Sequence, residues 1–208
     1  MLALIIKGGW VMVPIIALSV VALAILLERL WVLRSIRLNV PLFVQEVLLL
    51  LQRGRTDEAV GRCRDVRHPV GRLIALAIAN KGVRRREDLE RLLEREGEDQ
   101  IKRLERRLPG LLVIIGVEPM LGFLGTIVGL IKAFMDWEAL GANITVSTLA
   151  GGIYQAMITT AGGLIVAIPY YLCYHLLLAR IQRHANEMSA AGDETIGVLL
   201  GQTREVET

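Results

Sequence analysis

Cysteine and histidine are scarce in this sequence of 208 residues, and their scarcity excludes several classes of protein. Two cysteines, Cys63 and Cys173, cannot build the framework of a disulfide-rich secreted domain, and we interpret both as structural. The three histidines, His68, His175 and His184, are isolated, and no HExxH motif is present. There is also no GxSxG motif and no phosphate-binding loop, so the sequence predicts neither an enzyme nor a bound metal or cofactor.

Aromatic residues are also few, at 5% of the chain, and they do not alternate with the basic residues. Nucleic-acid interfaces commonly combine a basic surface with aromatic side chains that stack on bases. The net charge of +3 therefore gives no reason to expect nucleic acid as a partner.

Charge is missing from three long apolar stretches, at 10–27, at 108–131, where Glu118 is the only interruption, and at 148–179. A helix needs about 20 apolar residues to cross a bilayer. The sequence therefore predicts three transmembrane helices, with the second extending to 132. The first stretch also resembles a signal peptide, but its apolar residues run on to a charged, aromatic interface at 28–31, which favours an uncleaved anchor.

The basic residues are unevenly distributed and predict the topology. The segment 28–107 holds 19 of the 24 lysines and arginines, whereas 133–147 holds none. The positive-inside rule places 28–107 and the C-terminus in the cytoplasm, and the N-terminus in the periplasm of a bacterial inner membrane. The predicted order begins with a periplasmic N-terminus (1–9), the first span (10–27) and a cytoplasmic domain (28–107). It continues with the second span (108–132), a periplasmic loop (133–147), the third span (148–179) and a cytoplasmic C-terminal helix and tail (180–208).

The cytoplasmic segment is predicted to be helical. Apolar residues recur at helical spacing in 40–54 and 70–82, and the charged stretch 85–108 carries a leucine stripe. Because no linker separates 85–108 from the second span, we expect one helix to run through both. The third span is also expected to continue past 179. The predicted fold class is an all-α membrane protein in which spans two and three extend into a helical cytoplasmic domain.

Spans two and three each place small and weakly polar residues on one face of a helical wheel. The face in span two comprises Glu118, Gly122, Gly125, Thr126 and Gly129. The face in span three comprises Gly152, Ala156, Thr160, Gly163 and Ala167, with Thr159 at its edge. Such faces allow close helix packing in lipid, with each threonine hydroxyl bonded to its own helix, or they line a channel.

Three further residues bear on that choice. A carboxylate within a span is costly and faces a bundle interior or a water cavity, so Glu118 favours a channel, although a structural hydrogen bond remains an equal alternative. Pro119 frees a backbone carbonyl near the same depth. Gln155 is interpreted as an interhelical hydrogen-bonding residue.

The run PMLGFLGTIVGLIKAF (119–134), followed by LAGGIYQAMITTAGGLIVAIPYYLCYHLL (149–177), resembles the MotA/TolQ/ExbB proton channel family. The three-span layout resembles its ExbB/TolQ branch. The resemblance implies a homopentamer around a dimer of an ExbD- or TolR-like single-span protein with an intramembrane aspartate, acting on a TonB- or TolA-like protein. It makes Thr126 and Thr160 the pore threonines. We assign Glu118, Thr159 and Gln155 to the proton pathway together with them. The residues assigned to helix packing in the pore are Pro119, Gly122, Gly125, Gly129, Gly152, Ala156, Gly163 and Pro169.

The sequence departs from the family pattern at two positions. Family members often carry a glutamate where Gln155 stands, and a small uncharged residue where Glu118 stands. We therefore hypothesise that the acid has moved from span three to span two. The expected function is that of a stator subunit converting proton motive force into mechanical work, such as TonB-dependent import or Tol-Pal function. The alternative is a non-conducting membrane scaffold, and the single acid within the spans disfavours an intramembrane hydrolase.

Overall fold

The computed structural model describes residues 7–83, 85–141 and 145–201. These ranges contain helices and no strand, which confirms the predicted all-α class. The helices are α1 (Met12–Ser35), α2 (Val40–Gln52), α3 (Thr56–Asp65), α4 (Pro69–Ala79), α5 (Arg86–Glu105), α6 (Leu108–Leu140) and α7 (Val146–Leu199).

Three helical stretches of the described chain are long and apolar enough to cross a membrane. They are Met12–Gln52, Leu108–Leu140 and Val146–Leu199. They overlap the three predicted spans, the first of which was expected to begin at residue 10, and α7 continues well past residue 179 as expected. α6 runs beyond the predicted end of its span at 132 and stops at Gly141, whose φ of 51° favours glycine.

The chain divides into two compact units. The first, here called the membrane unit, comprises residues up to Glu28 and Arg107–Leu176. The second, here called the head unit, comprises Arg29–Arg106 and the chain from Leu177 onward.

Within the membrane unit, the start of α1 packs against the other two spans. Val11, Met12 and Ile15 are buried against Leu121 and Val166, among others. Farther along α1, the Tyr170 hydroxyl donates a 3.0 Å hydrogen bond to the carbonyl oxygen of Ser19. Apolar packing and a hydrogen bond therefore both join α1 to the α6–α7 pair.

The prediction of one helix running from 85–108 into the second span is wrong. α5 ends at Glu105, and Arg107 adopts a left-handed conformation with φ 74° before α6 begins. The cause is Pro109, which has no amide hydrogen and whose ring would collide with the carbonyl of Glu105 in a continuous helix. Proline is well placed in the first turn of a new helix, so the chain restarts there.

Arg29 stabilises the end of α5 within the head unit. Its guanidinium donates hydrogen bonds of 3.4 Å to the carbonyl of Arg103 and 3.2 Å to the carbonyl of Leu104. These carbonyls lie in the last turn of α5, where a cation also complements the helix dipole.

The core of the head unit is formed by one apolar face from each of α2 to α5 and by the C-terminal part of α7. Its buried residues are Val40, Phe43, Val44, Val47, Ala59, Cys63, Val70, Leu73, Ile74, Ala77, Ile78, Leu89, Leu93, Met188, Ala191 and Ile196. Burial raises the pKa of the Cys63 thiol to about 11, so the group stays protonated and unreactive at neutral pH. This supports the structural interpretation of Cys63.

His68 caps the start of α4 from a nearly inaccessible position. It is 2% exposed, and its Nδ1 accepts a 3.1 Å hydrogen bond from the amide of Val70. Its Nε2 lies 3.0 Å from Nδ1 of His184 on α7. Burial, followed by the neighbouring His184, lowers the pKa of His68 from 6.5 to about 4.

This pKa shift predicts an acid-sensitive head unit. Between pH 6.5 and about 4 the unfolded chain binds a proton at residue 68 that the folded chain does not, so stability falls as pH falls through this window. The two pKa values correspond to a loss of ~2 kcal/mol between pH 7.5 and pH 5. Substituting His68→Asn keeps a capping side chain and removes the titrating group.

We expect the thermal midpoint of the purified protein, measured in mild detergent with a chelator, to drop more between pH 7.5 and pH 5 in the wild type than in His68→Asn. His175→Asn is the matched control and should behave like the wild type. Equal pH dependence in the wild type and His68→Asn would contradict the assignment.

Candidate functional site

The predicted site lies in the membrane unit, where α6 and α7 pack antiparallel along their small-residue faces. The contact runs from Glu118 opposite Gly163 to Ala133 opposite Gly152. Residues three and four positions apart face inward on each helix, which is the spacing of one helical face.

Backbone meets backbone directly along this contact. A methyl group on Gly129 would lie 2.6 Å from the carbonyl oxygen of Gly152 and 2.7 Å from the amide nitrogen of Ala156. One on Gly163 would lie 2.6 Å from the carbonyl oxygen of Glu118. No side chain fits at such distances, so these positions require glycine.

Gly122 belongs to the same contact. A methyl group there would lie 3.0 Å from the carbonyl oxygen of Thr159 and 3.1 Å from the Cα of Thr160. The structure therefore places Gly122, together with Gly129, Gly152 and Gly163, between the two helices.

Thr159 fills the centre of the contact. It is fully buried, and its side chain occupies the space that a methyl group on Gly125 would need. Its hydroxyl donates to the carbonyls of Ala156 at 2.9 Å and Gln155 at 3.1 Å. The wheel put Thr159 at the edge of the polar face, because an isolated wheel does not show which line of the helix faces its neighbour.

Thr126 and Thr160 are only partly covered within one chain. The Thr126 hydroxyl donates a 2.5 Å bond to the carbonyl of Phe123, one turn earlier. The Thr160 hydroxyl lies 3.2 Å from the carbonyl of Gly122 across the helix pair and 3.3 Å from that of Ala156. Each hydroxyl thus donates to a carbonyl, and its oxygen lone pairs stay available to accept a hydrogen bond.

Glu118 is fully buried, and neither carboxyl oxygen has a hydrogen-bond partner among the described residues. The adjacent Pro119 has no N–H to donate to the carbonyl of Ile115, so α6 lacks one backbone hydrogen bond at this depth. An ionised carboxylate buried without a partner is strongly unfavourable. The group therefore requires a proton or a partner from outside the described residues.

Gln155 lies beside the chain that precedes α1. It is 8% exposed, and a methyl group on Gly9 would lie 2.5 Å from its Nε2. Gly9 has φ +72°, so the chain before α1 approaches this amide in a conformation that favours glycine. Eight residues of α7 separate Gln155 from Gly163, the position opposite Glu118, which is ~12 Å along a helix. Glu118 and Gln155 are not brought together.

The remaining predicted packing residue, Pro169, lies inside α7 on an exposed side. The structure does not bring it to the α6 contact within one chain. Large apolar side chains cover the outer faces of both helices; Phe123, Met157 and Ile165 are each more than 60% exposed. Such faces suit lipid or neighbouring helices.

Residues 66–190 match the MotA/TolQ/ExbB proton channel family. The chain belongs to this family. The match includes α6 entirely and most of α7, so it contains the small-residue contact, the threonines and Glu118. Proton channels are transport proteins, and the family with its three apolar helices makes the chain an ExbB/TolQ-like, multi-pass inner-membrane protein.

Curated relatives show which branch the chain resembles. It is 34% identical over 176 residues to a biopolymer transport protein ExbB homolog of Methanothermobacter thermautotrophicus, covering 84% of this chain and 62% of that protein. It is 32% identical to the biopolymer transport protein ExbB of Salmonella typhimurium, over 58% of this chain and 51% of that protein. It is 34% identical to the Tol-Pal system protein TolQ of Haemophilus influenzae, over 48% of this chain and 43% of that protein.

The close backbone contact predicts that α6 does not tolerate a methyl group at its centre. Gly129→Ala should destabilise the membrane unit by ~1–3 kcal/mol, because backbone atoms of α7 must move. Gly116→Ala is the matched control, since nothing lies within 4 Å of a methyl group there and alanine favours the helix.

We expect a lower thermal midpoint in mild detergent for Gly129→Ala, and an unchanged or higher one for Gly116→Ala. Equal midpoints for the two variants would show that α6 and α7 are not in backbone contact at Gly129.

Proposed function

We propose that this protein is the ExbB/TolQ-like stator subunit of an inner-membrane proton channel, and that it converts proton motive force into mechanical work across the cell envelope. Five copies surround a dimer of an ExbD- or TolR-like single-span protein with an intramembrane aspartate. The observation that carries the proposal is Glu118, a fully buried carboxyl group beside the threonine-bearing contact of α6 and α7, with no hydrogen-bond partner in the described part of the chain.

The threonines suit a proton path in a dry pore. Because the Thr126 and Thr160 hydroxyls donate to backbone carbonyls, they present acceptor lone pairs to their surroundings. A protonated aspartate on a partner helix is a donor, and it would be held by such acceptors. Once the aspartate loses its proton it can no longer donate a hydrogen bond to the threonine oxygens. The protonation state of the aspartate therefore controls how the partner helix binds.

Glu118 is the candidate for a second proton-binding group. It lies on the α6–α7 contact, whereas Gln155 occupies the position where the family often has an acid. This distribution supports the hypothesis that the acid has moved to span two.

The relatives' names indicate the kind of work. One set is named for biopolymer transport and another for the Tol-Pal system. We accordingly propose coupling to a TonB- or TolA-like protein. The concentration of basic residues in 28–107 supports an orientation with the head unit in the cytoplasm and the N-terminus in the periplasm.

A non-conducting scaffold is the second candidate, and the hydrogen bonds of Thr126, Thr159 and Thr160 favour it. Each of these hydroxyls is bonded to a carbonyl within one chain, as packing alone would require. The experiments below separate the two candidates.

The hydroxyls at positions 126 and 160 are predicted to be necessary for proton flux. Thr126→Val with Thr160→Val should lower flux by about tenfold or more, the effect of losing a hydrogen bond of roughly 1–1.5 kcal/mol along the path. The double variant to serine keeps both hydroxyls and should retain flux. Flux is measured with a pH-sensitive dye in liposomes that contain the protein and its single-span partner.

Native mass spectrometry of the same preparations reports assembly separately. We expect five copies with two partner chains in the wild type and in both double variants. Flux that survives in the valine variant, or an assembly that lacks the 5:2 composition in the wild type, would support the scaffold instead.

Glu118→Gln tests the role of the acid with little change in shape. We expect reduced proton flux with an intact 5:2 assembly, because glutamine keeps the volume and the polar atoms but cannot exchange a proton. Unchanged proton flux and unchanged partner-dependent function in Glu118→Gln would contradict the hypothesis that the acid has moved to span two.

A further inference from the structure

Three potential metal ligands converge in the head unit. They are His68 at the start of α4, and His184 and Glu187 on α7, here called the His–Glu cluster. One ligand atom from each residue lies within 4.8 Å of the other two. We propose that this cluster binds a divalent transition-metal ion of the zinc class.

The distances suit such an ion. His68 Nε2 and His184 Nδ1 are 3.0 Å apart, and His184 Nδ1 and Glu187 Oε2 are 3.4 Å apart. Ligands about 2.0–2.1 Å from a tetrahedral zinc lie ~3.3 Å from one another. Small side-chain adjustments would therefore place all three ligand atoms around one ion.

The fold holds the ligands in position. His184 and Glu187 are three residues apart, so they share one face of α7. The other carboxylate oxygen of Glu187 accepts a 3.1 Å bond from Arg183 Nε, which leaves Oε2 directed toward His184. His68 is buried beneath them as the cap of α4.

Two imidazoles and one carboxylate select the class of ion. Nitrogen-rich sets of this kind bind Zn²⁺, Co²⁺ or Ni²⁺, whereas Mg²⁺ and Ca²⁺ prefer sites made of oxygen ligands. A cavity of about 480 Å³ has Glu187 and Arg183 in its lining, so it reaches the carboxylate side of the cluster.

Without metal, a hydrogen bond occupies the same position. Because the Val70 amide donates to His68 Nδ1, the hydrogen of neutral His68 is on Nε2, which then donates to His184 Nδ1. A metal at Nε2 moves that hydrogen to Nδ1, and the Val70 bond is lost. Metal binding is thus coupled to the cap of α4, which gives it a readout separate from binding itself.

The cluster was missed from the sequence because its members are distant in the chain. His68 and His184 are separated by 116 positions, and no short motif contains both. Only the packing of α4 against α7 brings them together.

The test uses the tag-free full-length protein in mild detergent after treatment with a chelator, titrated with Co²⁺. We expect the visible absorption of four-coordinate Co²⁺ to saturate at one ion per chain and to disappear when Zn²⁺ is added. His184→Gln and Glu187→Gln should each weaken binding at least tenfold. His175→Gln removes the histidine that lies outside the cluster and should leave binding unchanged.

Hydrogen exchange of the Val70 amide supplies the second readout. Zn²⁺ should accelerate it in the wild type and in His175→Gln, but not in His184→Gln. Thermal midpoints without metal identify any variant that is misfolded. The absence of saturable Co²⁺ binding in the micromolar range, or equal binding by His184→Gln and His175→Gln, would overturn the proposal.

Discussion

Helices surrounded by lipid gain nothing from the hydrophobic effect when they associate, and this constraint determines the membrane unit. α6 and α7 associate through close backbone packing and a few polar contacts. The glycines of both helices make that approach possible, and Thr159 fills the space that remains at its centre. The burial of Glu118 and the cross-helix bond of Thr160 to Gly122 both follow from the same approach.

The head unit is held together by a different force. Its core is an ordinary apolar one, contributed by short amphipathic helices and the end of α7. Burial there has chemical consequences, since it keeps the Cys63 thiol protonated and His68 neutral. The two units thus divide the chemistry of the protein between a buried helix contact made of small residues and a domain in which side-chain burial adjusts protonation.

Much of this could be predicted from the sequence, because the signals are local. Apolar length gives the spans, and helical spacing gives the small faces of α6 and α7. Pro109 also signals the helix boundary at Arg107, but the helical pattern continues on both sides of it and favoured a single helix. The central position of Thr159, the approach of Gly9 to Gln155 and the meeting of His68 with His184 depend on how helices are placed in space, and no local pattern encodes that.

The contact between Gly129 and Gly152 also limits how this protein can evolve. When two side chains collide, a second substitution that shortens one of them restores the fit. A side chain added at Gly129 would instead meet the carbonyl oxygen and amide of the opposite helix, which no substitution can shorten. Suppressor mutations would therefore have to shift α7 as a whole, and sequence drift should be concentrated on the outer faces of the two helices.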